Sequence, residues 1–206
     1  MKASLLASLL LCVLIAANVA AHAQTDVALS LYGAFNSSTN GNGTAQSPSN
    51  AAGGLVEVRH IKNPLIGYEA AYSFNRANQH YRMNYACPVA GSICATPAPV
   101  TIPANAHQIA ANWVVSLHAA NLRPFALAGI GLLLDEPATS ASGTSTSTKP
   151  VYVYGAGLDW GLLPHIGLRL QYRGNLYKAP DLTSAFSSTD RFTHTAEPTV
   201  GAYFRF

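Results

Sequence analysis

The sequence predicts an all-β fold in which eight antiparallel strands run up and down and close into a barrel that crosses a membrane. Three observations predict it. Period-two alternation recurs eight times in segments of about ten residues, the length a tilted strand needs to cross a bilayer. The connections between those segments alternate long and short. Charged residues make up 10% of the chain, where soluble domains average about 25%, yet beyond the N-terminal leader no apolar run is long enough to cross as a helix.

The leader, MKASLLASLLLCVLIAANVAAHAQ, carries Lys2, an apolar run from Leu5 to Ala21, and a small-x-small site at Ala21, His22 and Ala23. That pattern predicts a signal peptide over residues 1–23, cut before Gln24. The apolar run reaches the lower limit for a spanning helix, but no basic stop-transfer flank follows it. Cys12 lies inside the run with Val13 and Leu14 behind it and belongs to the removed segment. Residues 24–206 are then one barrel domain. The chain has 12 Lys and Arg against 9 Asp and Glu, and removing Lys2 lowers that excess by one. So small a surplus does not call for nucleic acid or an acidic partner.

The first segment, DVALSLYGAF (26–35), puts Val27, Leu29 and Leu31 on one face. The second, GGLVEVRHI (53–61), puts Val56 and Val58 on that face and Glu57 and Arg59 on the other. The third, LIGYEAAYSFN (65–75), sets Ile66, Tyr68, Tyr72 and Phe74 against Gly67, Glu69, Ala71 and Ser73. The fourth, HQIAANWVVSL (107–117), carries Ile109, Trp113 and Val115 on its apolar face. The fifth, PFALAGIGLLL (124–134), has Ala, Gly and Leu on both faces, so alternation leaves its facing open. The sixth, PVYVYGAGLDW (150–160), sets Tyr152, Tyr154, Leu158 and Trp160 against Val153, Gly155, Gly157 and Asp159. The seventh, IGLRLQYRGNLY (166–177), sets Ile166, Leu168, Leu170 and Tyr172 against Gly167, Arg169, Gln171 and Arg173. The eighth, AEPTVGAYFRF (196–206), sends Glu197 and Arg205 to the second face.

Long stretches rich in Ser, Thr, Asn, Gly and Pro occupy 36–52, 76–106, 135–149 and 178–195. The short connections are KNP at 62–64, HAANLR at 118–123 and the turn at Leu163, Pro164 and His165. Long loops therefore share one end of the barrel, and short turns and both termini share the other. The repeated glycines decide which face looks inward: a water-facing strand gains nothing from Gly, whereas a narrow interior must mix small residues with large ones. The apolar face then points to lipid, and its aromatics gather into two belts near the strand ends.

The same parity sends Glu57, Arg59, Glu69, Asp159, Arg169, Arg173, Glu197 and Arg205 into the lumen. A barrel of eight strands is just wide enough to be filled by side chains. These charges are therefore expected to pair as a polar plug centred on Arg169, with Glu57, Glu69 and Asp159 among its partners. A proton or ion path is the competing reading of charges at membrane depth. Cys87 and Cys94 lie in a polar, Pro-rich stretch of an exported chain, which predicts a local disulfide. The nearest histidines, His80 and His107, offer no metal-ligand spacing, and no cofactor is expected.

The chain ends TVGAYFRF, with Thr199, Gly201, Phe204 and the terminal Phe206 in alternation. In this stretch and in its strand pattern it resembles the small eight-stranded outer-membrane barrels, the family of the OmpA transmembrane domain, OmpX and the opacity-type proteins. The resemblance implies a bacterial outer membrane location, with outer-membrane lipid as the surroundings. It also implies that the terminal stretch is an insertion signal, read by the barrel assembly machinery through strand addition. The chain stops at Phe206, so the peptidoglycan-binding domain that follows the OmpA barrel is not expected. The expected role is non-catalytic, structural or surface-interacting through four extracellular loops, with no particular extracellular partner implied. A small pore is the alternative. A lipid-modifying enzyme is the weakest reading: His194, Thr195 and Glu197 beside Ser187 and Ser188 are the nearest thing to a catalytic group, but adjacent strand residues point to opposite faces. The His-x-Ser spacing of the lipid-deacylating barrels is also missing.

Overall fold

The structure is a computed structural model that describes residues 24–84, 98–139 and 142–206. The leader and the pair Cys87 and Cys94 lie outside the described residues. In chain order the strands are β1 (Gln24–Asn36), β2 (Thr39–Gly41), β3 (Thr44–Pro48), β4 (Ala51–Asn63), β5 (Ile66–Met83), β6 (Val100–Ser116), β7 (Leu122–Pro137), β8 (Ser147–Gly161), β9 (Ile166–Lys178) and β10 (Phe192–Arg205). Eight of them form the wall, in the order β5-β4-β1-β10-β9-β8-β7-β6, and β6 pairs back onto β5 to close it. The all-β, eight-stranded antiparallel barrel predicted from alternation is the observed fold.

Closure joins the first and last strands. Along the seam β1 meets β10 in the register Val27 with Phe204, Leu29 with Ala202 and Leu31 with Val200. Every strand of the wall has two hydrogen-bonded neighbours, so no strand edge is left unpaired across the barrel.

All four expected long loops are in part strand, and two of them, 36–52 and 76–106, extensively so. The alternation continues through Arg76 to Met83, with Ala77, Gln79 and Tyr81 buried, and this extension pairs with 100–105 in the register Arg76 with Asn105 through Tyr81 with Val100. Outward-facing Asn and Arg hid the pattern, because the extension lacks the apolar outer face of the other strands. The stretch 36–52 holds the β2–β3 hairpin, turned at Asn42 and Gly43 with φ of 49° and 74°. Positive φ at both central residues is the turn that matches strand twist, and Asn-Gly is its preferred pair. β3 carries the line of β4 further along β5, pairing Thr44 with Met83 through Pro48 with Gln79.

The fifth segment resolves its facing. Phe125, Leu127 and Leu133 are buried in the lumen, while Ile130 and Leu132 face outward. The lumen glycines make room for such rings: a Cβ built on Gly157 would lie 2.5 Å from the Phe125 ring. On the outer surface Leu29, Leu31 and Ile109 are 69%, 71% and 66% exposed, part of a continuous apolar band that water would disfavour and hydrocarbon would not. Tyr72, Phe74 and Tyr154 border the band toward the long connections, and Tyr68, Trp113, Trp160 and Phe204 border it toward the short turns. Trp113 Nε1 donates to the Leu65 carbonyl at 2.8 Å, anchoring one turn to that belt.

Paired strand should resist protease where an open loop would not. With the barrel held in lipid vesicles, a broad-specificity protease should cut within 142–146 and 184–191 and spare 76–83 and 100–106, as read by mass spectrometry. Cutting within 76–83 would mean that the strand extension does not form.

Candidate functional site

The lumen concentrates the charged side chains, and cross-strand register explains why they meet. Arg59 of β4 stands directly opposite Glu69 of β5, Asp159 of β8 opposite Arg169 of β9, and Glu197 of β10 opposite Arg173 of β9. Directly opposed residues on one face lie close enough for opposite charges to pair. Arg59 Nη2 is 2.5 Å from Glu69 Oε2, and Arg169 Nε is 2.8 Å from Asp159 Oδ1.

Across the barrel the pairs fuse into one network. Arg169 also reaches Asp26 at 2.8 Å and Glu57 at 3.5 Å. Arg123 bridges Asp26 and Asp159, both at 2.7 Å. Arg173 sits 3.4 Å from both Glu57 and Glu69, and 3.9 Å from Glu197. Neutral donors take remaining carboxylate lone pairs: Gln171 Nε2 donates to Glu57 and Asn112 Nδ2 to Glu69, each at 2.8 Å. The Arg59 guanidinium lies 4.0 Å above the centre of the Phe125 ring. All of these charged groups are buried.

The expected cluster needs correcting at three places. Glu69 pairs with Arg59 and Arg173 and not with Arg169, because its register partner is on the adjacent strand. Arg205 points inward at the rim but has no carboxylate partner among the described residues; it donates to the Tyr203 hydroxyl at 3.1 Å and lies over that ring. Asp26 and Arg123 are central members that the sequence reading left out. Asp26 shares the parity of buried Ala28, so its signal was present. Arg123 was assigned to the turn HAANLR, whereas β7 starts at Leu122 and places it in the wall.

Above the network the connection from Lys178 to Phe192 folds over the mouth. The Tyr81 hydroxyl donates to the Pro180 carbonyl at 2.9 Å, and Gln46 Nε2 donates to the same oxygen at 3.0 Å. Leu182 and Phe186 are buried against Tyr81, Ile102 and Ala104. The hairpin braces this cap from the side: Thr39 Oγ1 is 3.2 Å from Thr189 Oγ1, and Asn42 Nδ2 donates to the Ser188 carbonyl at 2.8 Å.

The remaining predicted residues separate by face. His194 Nε2 is 2.9 Å from the Tyr154 hydroxyl on the outer surface, while Thr195 hydrogen-bonds Tyr177 at 2.9 Å in the lumen. In the terminal strand Thr199 is buried in the lumen, and Gly201 lies opposite both Ser30 and Arg169. Phe204 and Phe206 face outward with ring centres 5.0 Å apart, and the Phe206 amide donates to the Thr25 carbonyl at 2.9 Å.

A closed antiparallel wall with an apolar exterior and a charged, filled lumen is the architecture of a small outer-membrane barrel. The chain belongs to the outer membrane protein beta-barrel domain family, whose model matches residues 5–206. It therefore resides in the bacterial outer membrane. Among solved structures it is similar to the outer membrane protein OprG of Pseudomonas aeruginosa, with 12% identity over 90% of this chain and 96% of that one, at a TM-score of 0.54. Neisserial surface protein A is similar at 14% identity over 89% of this chain and 97% of that one, with a TM-score of 0.51. Ail, the attachment invasion locus protein of Yersinia pestis, solved with the heparin analogue sucrose octasulfate, is similar at 14% identity over 90% and 100%, with a TM-score of 0.51. At these identities the likeness is one of fold. No curated protein matches the sequence.

Leaving a buried charge without its partner costs about 3–5 kcal/mol. Arg169→Leu takes from Asp26, Glu57 and Asp159 the one cation that all three share, leaving Arg123, Arg173 and Arg59 to serve them, and should lose stability toward that scale in urea unfolding from lipid vesicles. Arg205→Leu abandons no carboxylate and should stay within about 1 kcal/mol of wild type. Equal midpoints for wild type and Arg169→Leu would mean that water, and not the network, satisfies these groups.

Proposed function

We propose that this barrel is a non-catalytic protein of the outer membrane that acts through the surface it displays outside the cell. The observation that carries this reading is the double obstruction of the lumen. Four arginines and their carboxylates fill its lower part, and the 178–192 connection covers its upper mouth. A solute path would require breaking charge-assisted bonds between buried groups. Tyrosine and glutamine hold the cap, and the hairpin abuts it, which makes the extracellular end a braced platform. Such a platform suits contact with a partner or with the surrounding surface better than gating.

The enzyme reading loses its best group, since His194 and Thr195 stand on opposite sides of the wall. The aromatic belts fit the two interfaces of a bilayer, so outer-membrane lipid is the proposed immediate partner. The barrel assembly machinery is the proposed partner during biogenesis. Phe204 and Phe206 form an exposed aromatic pair at the last strand, which would be available for strand addition before β10 meets β1.

In planar bilayers the wild-type protein should give no unitary conductance steps, and removal of the cap side chains in Leu182→Ala with Phe186→Ala should leave it silent, because the network below remains. Reproducible steps of one size from wild type would establish the pore instead. Deleting Phe206 should lower the amount of barrel in the outer membrane and raise periplasmic degradation without changing export; unaltered levels would refute the insertion-signal reading.

A further inference from the structure

The outward faces of the wall carry their cations unevenly. Toward the short turns, Lys62 of β4 is the one outward lysine or arginine among the described residues. Toward the long connections, Arg76 and Arg82 of β5 face outward and exposed, in one row with Asn78 and His80. Neither arginine has an ion-pair or hydrogen-bond partner among the described residues. Lys178, also outward at this end, is neutralised by Asp190 at 2.6 Å.

The row begins directly above the aromatic belt. Tyr72 and Phe74 precede it on the same face of β5, and both meet His107 of β6: the Tyr72 hydroxyl is 2.8 Å from His107 Nδ1, and the Phe74 ring centre is 4.9 Å from the imidazole centre. Arg76 stands opposite Asn105, and His80 stands opposite Thr101, whose hydroxyl is 2.9 Å from His80 Nδ1. Glu136, an acid on the outward face of β7, lies two strands from Arg76 with Asn105 between them. Two residues of strand beyond Phe74 add about 7 Å, which brings Arg76 into the headgroup layer if the belt marks the edge of the hydrocarbon. From Arg76 to Arg82 the strand advances about 20 Å along its length, or about 15 Å in height at the tilt of a small barrel. The two free guanidinium groups therefore stand at two levels above the membrane edge.

We propose that this row holds a phosphorylated glycolipid of the outer leaflet, with phosphates on Arg76 and Arg82 and sugar hydroxyls on Asn78 and His80 between them. The inference rests on the proposed surface role, in which outer-membrane lipid is the immediate partner, and it names the lipid. A glycerophospholipid carries its phosphate at one height, just above its acyl chains, and meets Arg76 alone. A lipid headed by a phosphorylated oligosaccharide places further anions where Arg82 stands. Guanidinium forks match phosphate oxygens in pairs, so unpartnered arginines suit such anions. Row and belt form one face, and that continuity favours a ligand anchored in the membrane over a soluble polyanion.

The test uses barrel purified from outer membranes, delipidated in detergent micelles, and titrated in native mass spectrometry with lipopolysaccharide truncated to its phosphorylated inner core. Wild type should bind it on the order of tenfold or more tighter than the same glycolipid with its phosphates removed. It should also bind it more tightly than phosphatidylglycerol. Arg82→Ser should erase the preference over phosphatidylglycerol, and Arg76→Ser with Arg82→Ser should erase both preferences. Glu136→Gln should not weaken binding. Both arginines are exposed, so the variants should keep the wild-type unfolding midpoint. Three results would overturn the site: equal affinity for the phosphorylated and dephosphorylated forms, unchanged preferences in the double variant, or phosphatidylglycerol held as tightly as the glycolipid. Dextran sulfate bound in place of the glycolipid would assign the row to a soluble polyanion instead. The titration reads the outer wall and the conductance measurement reads the lumen, so either reading can fail while the other stands.

Discussion

The barrel depends on a cluster of guanidinium–carboxylate contacts at its axis. Asp159 accepts from Arg123 and Arg169 and lies 3.6 Å from Arg59, so one carboxylate ties together β4, β7, β8 and β9. Asp26 adds β1 through Arg123 and Arg169, Glu69 adds β5 through Arg59, and Glu197 reaches β10 through Arg173. Burying so many charges gains little net stability compared with an apolar filling. What it secures is mutual dependence, because no strand carrying a member can leave without stranding a charge on its neighbours.

The outside of the barrel is the complement of that arrangement. With the polar groups collected inward and every wall strand paired on both sides, the outer surface can be apolar from one aromatic belt to the other. Above the belts the constraint relaxes, and there β5 and β6 continue with polar outer faces and a small hairpin extends the line of β4. The membrane sets the composition of the wall up to the belts, and water sets it beyond them.

That change of solvent explains what was legible in the sequence and what was not. Within the bilayer the contrast between Leu168 and Arg169, or Val58 and Arg59, reports facing residue by residue, so eight segments and most of the lumen charges could be read directly. In 76–83 the outer face is polar, carrying Arg76, Asn78, His80 and Arg82, and without an apolar outer face the strand vanished into an apparent loop. Arg123 was lost for a related reason: next to Asn121 in a short polar connection it reads as a turn, and β-pairing of Leu122 with Trp160 is what brings it into the wall. Of the partners expected for Arg169, Glu57 and Asp159 meet it, but Glu69 does not, and its contact with Asp26 was not legible. Strand alternation gives a face, but the partners of Arg169 depend on barrel stagger, which brings β1 and β4 side chains to the height of β9.

Register is where the charges and the membrane act together. If β9 slipped by one residue against its neighbours, Arg169 and Arg173 would turn into lipid and Leu168, Leu170 and Tyr172 would turn into the lumen. Each arginine at the bilayer midplane would cost about 2–4 kcal/mol, and the carboxylates left inside would lose their partners as well. An alternation of Leu with Val or Ala would report such a slip weakly, since both faces would remain apolar. An alternation of Leu with Arg reports it at once, from lipid and lumen together. The buried network thus selects one register out of several that backbone pairing alone would accept, and that selection aligns the terminal strand to close on β1.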